Sequence, residues 1–186
     1  HQSGLGRPWR WKLGNQPGNS LKTIFLPWLP QTCASIAKRK IAIVTLMEEQ
    51  PQVAWTLLMS LLPQSHQASS GSRKPEWREI LSSDCEKHVT QNEYLEQIVN
   101  YAEFAIDLAK SDPQKLVNLI DHFDQLPHQT DEKLMAYLNS DEIASLSEAE
   151  RFPLWDTLTD LVTKHRKYAD AVWAMKPDKV DKIVTI

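Results

Sequence analysis

The chain has 186 residues, of which 41% are hydrophobic and 24% are charged. This composition is that of a globular protein with its own hydrophobic core, and it excludes disorder over most of the length. The sequence contains no run of 18 apolar residues, so we expect neither a membrane span nor a membrane partner.

The two halves of the chain carry opposite charge. Residues 1–80 hold 10 Lys/Arg against 4 Asp/Glu, whereas residues 81–186 hold 11 against 20. A basic half is a feature of nucleic-acid-binding domains. The longest basic run is only Lys38-Arg39-Lys40, which favours the simpler interpretation that the two halves attract each other.

Proline and glycine usage points to helices. The chain has 11 Pro and 5 Gly, and three of the Gly lie within the first fourteen residues. Tight β-hairpins need residues at positive φ, which glycine supplies most readily. The sequence therefore predicts an all-α protein in which prolines separate the helices.

In chain order, residues 1–20 are predicted to be an extended segment, and residues 21–186 a single α-helical domain with an exposed loop at 64–76. A short helix is expected within 21–31, before Pro27 and Pro30. Apolar residues at helical spacing predict longer helices. They cover residues 34–49, 51–62, 91–110, 113–123, 130–139 and 147–169, and the start of another at 177.

One sequence pattern at the boundary between two predicted helices occurs twice. Residues 48–63 read EEQPQVAWTLLMSLLP, and residues 110–127 read KSDPQKLVNLIDHFDQLP. In each, an apolar helix ends in acidic residues, one or two residues turn the chain, and Pro-Gln begins a second apolar helix. Two such αα-hairpins predict helical hairpins stacked in an α-solenoid-like array.

Residues with catalytic potential form no convincing group. His122 lies between Asp121 and Asp124, but adjacent helical residues do not face each other, so a solvated helix face is the better interpretation. His165 falls on the inner face of its helix, where core packing is expected. The neighbours Ser65 and His66 lack a third, orienting group. We predict no catalytic residue and no enzyme activity for this segment.

Ligand motifs are absent from the sequence as well. It contains no HExxH or CxxC and no glycine-rich phosphate loop, so we predict no metal site and no cofactor. Cys33 and Cys85 share no metal-ligand spacing, and two thiols in a chain of this size are typical of a reducing compartment. We predict that both are free and buried and that the protein is cytoplasmic.

Trp and Arg are the residue types that most often anchor protein interfaces, and several lie in and around the predicted loop. The alternative for each Trp is that its ring fills the irregular end of a helix. Our candidate partner-binding residues are Trp28, His66, Arg73, Lys74, Trp77 and Arg78.

Three stretches together resemble a known group of proteins: SLKTIFLPWLPQT at 20–32, WTLLMSLLPQSH followed by KPEWRE within 55–79, and LVTKHRKYADAVWAM at 161–175. They are similar to the helical region that follows the ATPase core in large bacterial STAND-type antiviral NTPases, the Avs type and its SIR2-linked relatives. This resemblance implies a helical array that recognises a viral protein or contacts other domains of the same chain, while the effector and the NTPase lie elsewhere.

The start of the chain, HQSGLGRPWRWKLG, has no initiating Met and no apolar signal region, so we expect a segment of a larger polypeptide. We therefore expect a non-catalytic recognition or scaffold module of a bacterial defence protein. The alternative is a nucleic-acid-binding helical domain that uses the basic N-terminal half.

Overall fold

The computed structural model describes residues 17–30, 32–63 and 89–186. Within these ranges the chain forms nine α-helices and one short 3₁₀ turn and contains no strand, so the predicted all-α class is confirmed. The helices are α1 (Pro17–Phe25), α2 (Ile36–Glu49), α3 (Pro51–Leu61), α4 (Gln91–Ala109), α5 (Pro113–Ile120), α6 (His128–Leu138), α7 (Asp141–Ala144), α8 (Glu148–Lys167) and α9 (Pro177–Val184). The predicted loop at 64–76 lies outside the described residues, and α1 begins inside the segment predicted to be extended.

At several helix starts, side chains form hydrogen bonds with backbone N–H groups that have no partner within the helix. The carboxylate of Glu150 accepts hydrogen bonds from the backbone N–H and the hydroxyl of Ser147, at 3.0 and 2.6 Å, as the predicted start of α8 requires. Asp112 accepts the backbone N–H of Gln114 at 3.0 Å and caps α5.

Both Pro-Gln segments form the predicted helical hairpins. A single residue, Gln50, joins α2 to α3, and its N–H closes α2 by donating to the carbonyl of Leu46 at 2.8 Å. Pro51 then occupies the first position of α3, where its missing N–H costs no helix hydrogen bond. The helices of each hairpin, α2 with α3 and α4 with α5, pack against each other. The solenoid arrangement of the hairpins stays a prediction.

The hydrophobic core runs continuously from α1 to α9. Helix α3 packs against α1, α2 and α4, while α4 also contacts α5 and α6. The core then passes from α5 to α8 and from α8 to α9. Its fully buried side chains include Leu58, Leu61, Tyr101, Leu119 and Leu134. Helix α8 thus joins the core through its contacts with α5 and α9.

A buried polar contact ties the end of α1 to α4. The hydroxyl of Tyr101 donates to the carbonyl of Phe25 at 2.9 Å, and the side-chain amide of Gln97 donates to the carbonyl of Pro27 at 3.4 Å. Burial raises the pKa of Tyr101 to about 12. The backbone carbonyls of Phe25 and Pro27 are therefore satisfied by side chains of α4.

The basic run at 38–40 does not form one surface. Arg39 is buried, and desolvation lowers the pKa of its guanidinium. Its neighbour Lys40 donates to the side-chain oxygen of Asn100 on α4 at 3.0 Å. Lys38 and Lys40 are exposed, whereas Arg39 lies in the interior. The three cations therefore do not all face one surface.

The prediction of a free, buried thiol is wrong for Cys33. This residue is exposed and disulfide-bonded. The second cysteine, Cys85, lies outside the described residues. Sequence spacing did not indicate the bond because pairing of cysteines depends on the fold and not on their separation along the chain.

Candidate protein-interaction surface

An apolar groove lies where the end of α6, α7 and the first half of α8 meet the final residue of the chain. Its volume is about 350 Å³, and Leu138, Ile143 and Ile186 are among the side chains that line it. The buried Leu154 of α8 also lines it, and Phe152 and Trp155 stand at its side. We refer to this feature as the α8 groove.

Two exposed aromatic rings mark the α8 groove. Phe152 is 60% exposed and Trp155 is 62% exposed, although the rings lie beside each other with centroids 6.2 Å apart. The buried positions of α8 are Leu154, Leu161 and His165, which share one face of the helix. Phe152 lies two residues before Leu154, and Trp155 lies one residue after it. With 3.6 residues per helical turn, neither ring shares the face of Leu154.

The rim of the α8 groove is acidic. Glu148 and Arg151 both line the groove, and Asp141 and Glu142 of α7 line a polar hollow beside it. Among the described residues, none of these four side chains takes part in an ion pair. Interaction with the nearby Ser140 lowers the pKa of the Glu142 carboxyl, and the charge of Lys110 acts in the same direction. Within the described residues, the three carboxylates at 141, 142 and 148 outnumber the single cation that lines the groove, Arg151.

The surface satisfies two physical criteria for a recognition site. Large apolar side chains are exposed to water beside a concave apolar surface. Binding of a partner that buries them has a favourable free energy, because apolar area is removed from water. Aromatic residues dominate the binding energy of protein interfaces because they bury large areas with little loss of side-chain entropy.

A second group of polar residues is buried and serves structure. Nε2 of His165 lies 3.4 Å from Oδ2 of Asp124, and Nζ of Lys164 lies 3.1 Å from the same oxygen. The backbone N–H of Met175 donates to Nδ1 of His165 at 3.0 Å. The His165 side chain is fully enclosed, so a substrate has no access to it.

The other carboxylate and imidazole pair from the sequence does not form. Asp121 is exposed, and Nδ1 of His122 lies 3.1 Å from the backbone carbonyl of Asn118 one turn earlier. The interpretation of this stretch as a solvated helix face fits Asp121 but is wrong for Asp124, which is nearly buried against His165. The chain leaves helical geometry after α5 and turns Asp124 inwards in the 3₁₀ turn.

Of the predicted partner-binding residues, only Trp28 lies within the described ranges. Trp28 is half-buried and packs against the hydrophobic core, as expected for a ring that fills the end of a helix. The remaining residues of that set, His66, Arg73, Lys74, Trp77 and Arg78, lie outside the described residues. Their role in partner binding stays a prediction.

The sequence carries a signal for the α8 groove that the periodicity of the buried stripe does not reveal. The stretch FPLW at 152–155 places two large aromatic residues on either side of the core residue Leu154. Of the three large apolar residues in this stretch, helical spacing assigns only Leu154 to the buried stripe. An outward-facing pair of aromatics on a polar helix could therefore have been recognised before the structure was known.

Within the described ranges no group of three or more His, Cys, Asp and Glu side chains is arranged to hold a metal ion. No helix in the same ranges is both long and apolar enough to cross a bilayer. Comparison with family models, curated proteins and solved structures gives no match. The surface itself is therefore the basis for a functional proposal.

Proposed function

We propose that this chain is a non-catalytic helical module of a larger bacterial protein and that it binds a protein partner through the α8 groove. The observation that carries the proposal is the exposure of Phe152 and Trp155 beside an apolar concavity. Isolated exposed apolar residues are common on protein surfaces, but an aromatic pair over a groove is characteristic of a docking site.

The nature of the parent protein is a narrower proposal. Similarity to the helical region of STAND-type antiviral NTPases supports a sensor in which stacked hairpins, arranged as an α-solenoid-like array, contact a viral protein or other domains of the same chain. The continuous packing of helix on helix from α1 to α9 is compatible with such an array, because each hairpin is covered by its neighbours.

The disulfide at Cys33 weighs against the cytoplasmic location that the sequence and the resemblance imply. Disulfides persist in oxidising compartments and are rare in the reducing cytosol. Recognition through the α8 groove does not depend on the compartment, because no cysteine lines the groove. A cytoplasmic sensor remains part of the proposal only if Cys33 is found reduced in cells.

Nucleic-acid binding through the basic N-terminal half is the alternative. Within the described residues, the basic run at 38–40 gives this alternative little support. Arg39 is buried, and Lys40 donates a hydrogen bond to Asn100. Binding of this kind depends on phosphate contacts and weakens steeply as salt increases. A titration with single-stranded and double-stranded DNA and RNA at low salt distinguishes it: no binding removes the alternative, and salt-sensitive binding supports it over the protein-recognition proposal.

Photo-crosslinking in cells tests protein recognition directly. A benzophenone amino acid replaces Phe152 in the full-length gene product, and a matched variant carries it at Val53, which is 45% exposed on α3 and lies outside the groove. We expect a discrete protein adduct from position 152 and none from position 53. Equal labelling from both positions, or adducts only with nucleic acid, would contradict the proposal.

A further inference from the structure

We propose that the α8 groove binds a cationic amphipathic helix, in which apolar side chains fill the groove and Lys or Arg side chains face its acidic rim. This inference rests on the proposed function and specifies the chemistry of the partner. It depends on three observations: the backbone available for recognition, the charge around the groove and the shape of its apolar floor.

The backbone around the groove leaves few ways to bind a peptide. An extended peptide commonly binds by adding a strand to the edge of a sheet, but residues 89–186 contain no strand. The groove is built from α6, α7 and α8, whose N–H and C=O groups are mostly used within the helices. Recognition must therefore use side chains, as when the apolar face of a helix enters a groove.

The charge around the groove selects a basic partner. Residues 141–156 include five acidic side chains, at 141, 142, 148, 150 and 156, and a single basic one, Arg151. The carboxylate of Glu150 is engaged by Ser147 at the start of α8, but Asp141, Glu142 and Glu148 have no ion pair within the described part of the chain. Complementary charge on a partner accelerates association and disfavours acidic competitors.

The floor of the groove suits aliphatic or aromatic anchors. At about 350 Å³ its volume is at the lower end of the range for pockets that hold small ligands, so it accommodates a few large side chains. Phe152 and Trp155 stand on one side, and Ile143 and Ile186 lie among the other lining residues. Anchors on successive turns of one helix face, at i, i+3 or i+4 and i+7, match such a floor.

Three synthetic peptides provide the probe, each about 18 residues long so that a helix can form. One carries Leu at i, i+3, i+4 and i+7 with Lys at the remaining exposed positions. The second has the same Leu residues with Glu in place of Lys, and the third has Ala in place of Leu. Fluorescence anisotropy of labelled peptides measures affinity for the intact protein, and amide chemical shifts identify the surface that each peptide contacts.

We expect the Leu/Lys peptide to bind at least about tenfold more tightly than either other peptide at low salt, with weaker binding as salt increases. Trp155→Ser should weaken its binding by about tenfold or more. The matched control Val53→Ser, which replaces another exposed apolar residue, should bind like the unaltered protein. Combining Asp141→Lys, Glu142→Lys and Glu148→Lys should reverse the preference in favour of the Leu/Glu peptide.

Several results would overturn the inference. Equal binding of the Leu/Lys and Leu/Glu peptides would refute a cationic partner, and shifts confined to α1–α3 would refute the α8 groove as the site. If no peptide binds while crosslinking at residue 152 still captures a protein, the helix inference fails and the proposed function stands. If the crosslinking fails too, both are wrong. Circular dichroism of each variant checks that the helices remain folded.

Discussion

The backbone N–H of Met175 donates a 3.0 Å hydrogen bond to Nδ1 of His165, and this bond joins the segment after α8 back onto the helix. Because Nδ1 accepts, the proton of the neutral imidazole is on Nε2, which lies 3.4 Å from a carboxylate oxygen of Asp124. The ring of Trp173 packs edge-on to the imidazole at 5.6 Å. His165 therefore connects α8, the 3₁₀ turn and the segment leading to α9.

We expect stability to fall as the pH decreases below the ordinary pKa of histidine, which is 6.5. Burial lowers the pKa of folded His165; Lys164 and Lys179 act in the same direction, while Asp124 opposes them. Between the folded and unfolded pKa values the unfolded chain binds more protons, so this stabilisation is fully present above pH 6.5 and is lost as the pH falls towards the folded pKa.

Urea unfolding across that pH range measures the effect. His165→Leu should remove this component of the pH dependence while lowering stability at neutral pH, because the N–H of Met175 loses its acceptor. His122→Gln alters a partly exposed imidazole and should keep the dependence of the unaltered protein. Identical pH profiles for His165→Leu and the unaltered protein would show that His165 does not titrate as its surroundings require.

Tyr101→Phe should destabilise the protein by about 1–2 kcal/mol, because the carbonyl of Phe25 would lose a buried donor. Tyr168→Phe is the matched control, since that ring is about half exposed and should change stability by less than about 0.5 kcal/mol. Chemical denaturation of both variants provides the comparison. Equal small effects would mean that the hydroxyl of Tyr101 contributes nothing net to the contact between α1 and α4.

Local sequence signals predicted most of the fold. The Pro-Gln starts, the capping residue Asp112 and the Ser147 and Glu150 pair are determined within one helical turn, so a sequence pattern is enough to place them. The pairing of Asp124 with His165 spans 41 positions of chain and depends on how α5 and α8 pack. Such contacts have no local signature, and for that reason the sequence did not reveal them.

Helical periodicity also has a limit at the end of α8. Helical spacing continues the inner stripe of α8 from His165 to Tyr168, but Tyr168 is about half exposed. The helix ends at Lys167, and Tyr168 has φ −116° and ψ 36°, so the residue no longer follows the helical register. The α8 groove was missed for a related reason, since Phe152 and Trp155 are apolar residues outside the stripe on which the prediction relied.

Peptide mapping should detect the peptide that contains Cys33 as a free species only after reduction, because Cys33 is disulfide-bonded. Cys33→Ser is expected to lower the free energy of unfolding by about 2–4 kcal/mol under oxidising conditions. The same substitution should have little effect on protein that is kept reduced. Alkylation of Cys33 in cells before lysis would instead show that the thiol is free in its native compartment.

Leu154 and Trp155 are adjacent in α8 and allow a direct test of which face is structural. Leu154 is 3% exposed and Trp155 is 62% exposed. Leu154→Ala should cost about 2–4 kcal/mol because it leaves a cavity, whereas Trp155→Ser should change stability by less than about 1 kcal/mol. Thermal or urea unfolding measures both. A large loss from Trp155→Ser would identify the ring as a core residue and remove the main support for the α8 groove.

Asp131 of α6 and Lys179 of α9 form an ion pair whose two members differ in burial. The Asp131 side chain is 2% exposed and that of Lys179 is 22% exposed, and the ammonium group also lies 4.7 Å from the centroid of the Phe123 ring. Nδ1 of His128 lies 3.2 Å from the other carboxylate oxygen of Asp131. The ion pair therefore links α6 to α9.

Removing the cation should cost more than removing the acid. Lys179→Met leaves the buried carboxylate of Asp131 without its cation, and we expect a loss of about 3 kcal/mol. Asp131→Ala should cost about 2 kcal/mol, because Lys179 can turn its ammonium group towards water. The double variant should cost less than the sum of the two, and the difference gives the coupling energy.

The exposed pair of Arg166 and Asp181, 3.2 Å apart, is the matched control for this cycle. Its side chains are 56% and 71% exposed, so solvent screening should limit its coupling energy to less than about 1 kcal/mol. Urea unfolding at low and high salt measures both coupling energies. Added salt should reduce the coupling energy of the control pair more than that of Asp131 with Lys179, because buried charges are screened less. Equal couplings for the two pairs would mean that α9 is not held to α6 by a buried charge.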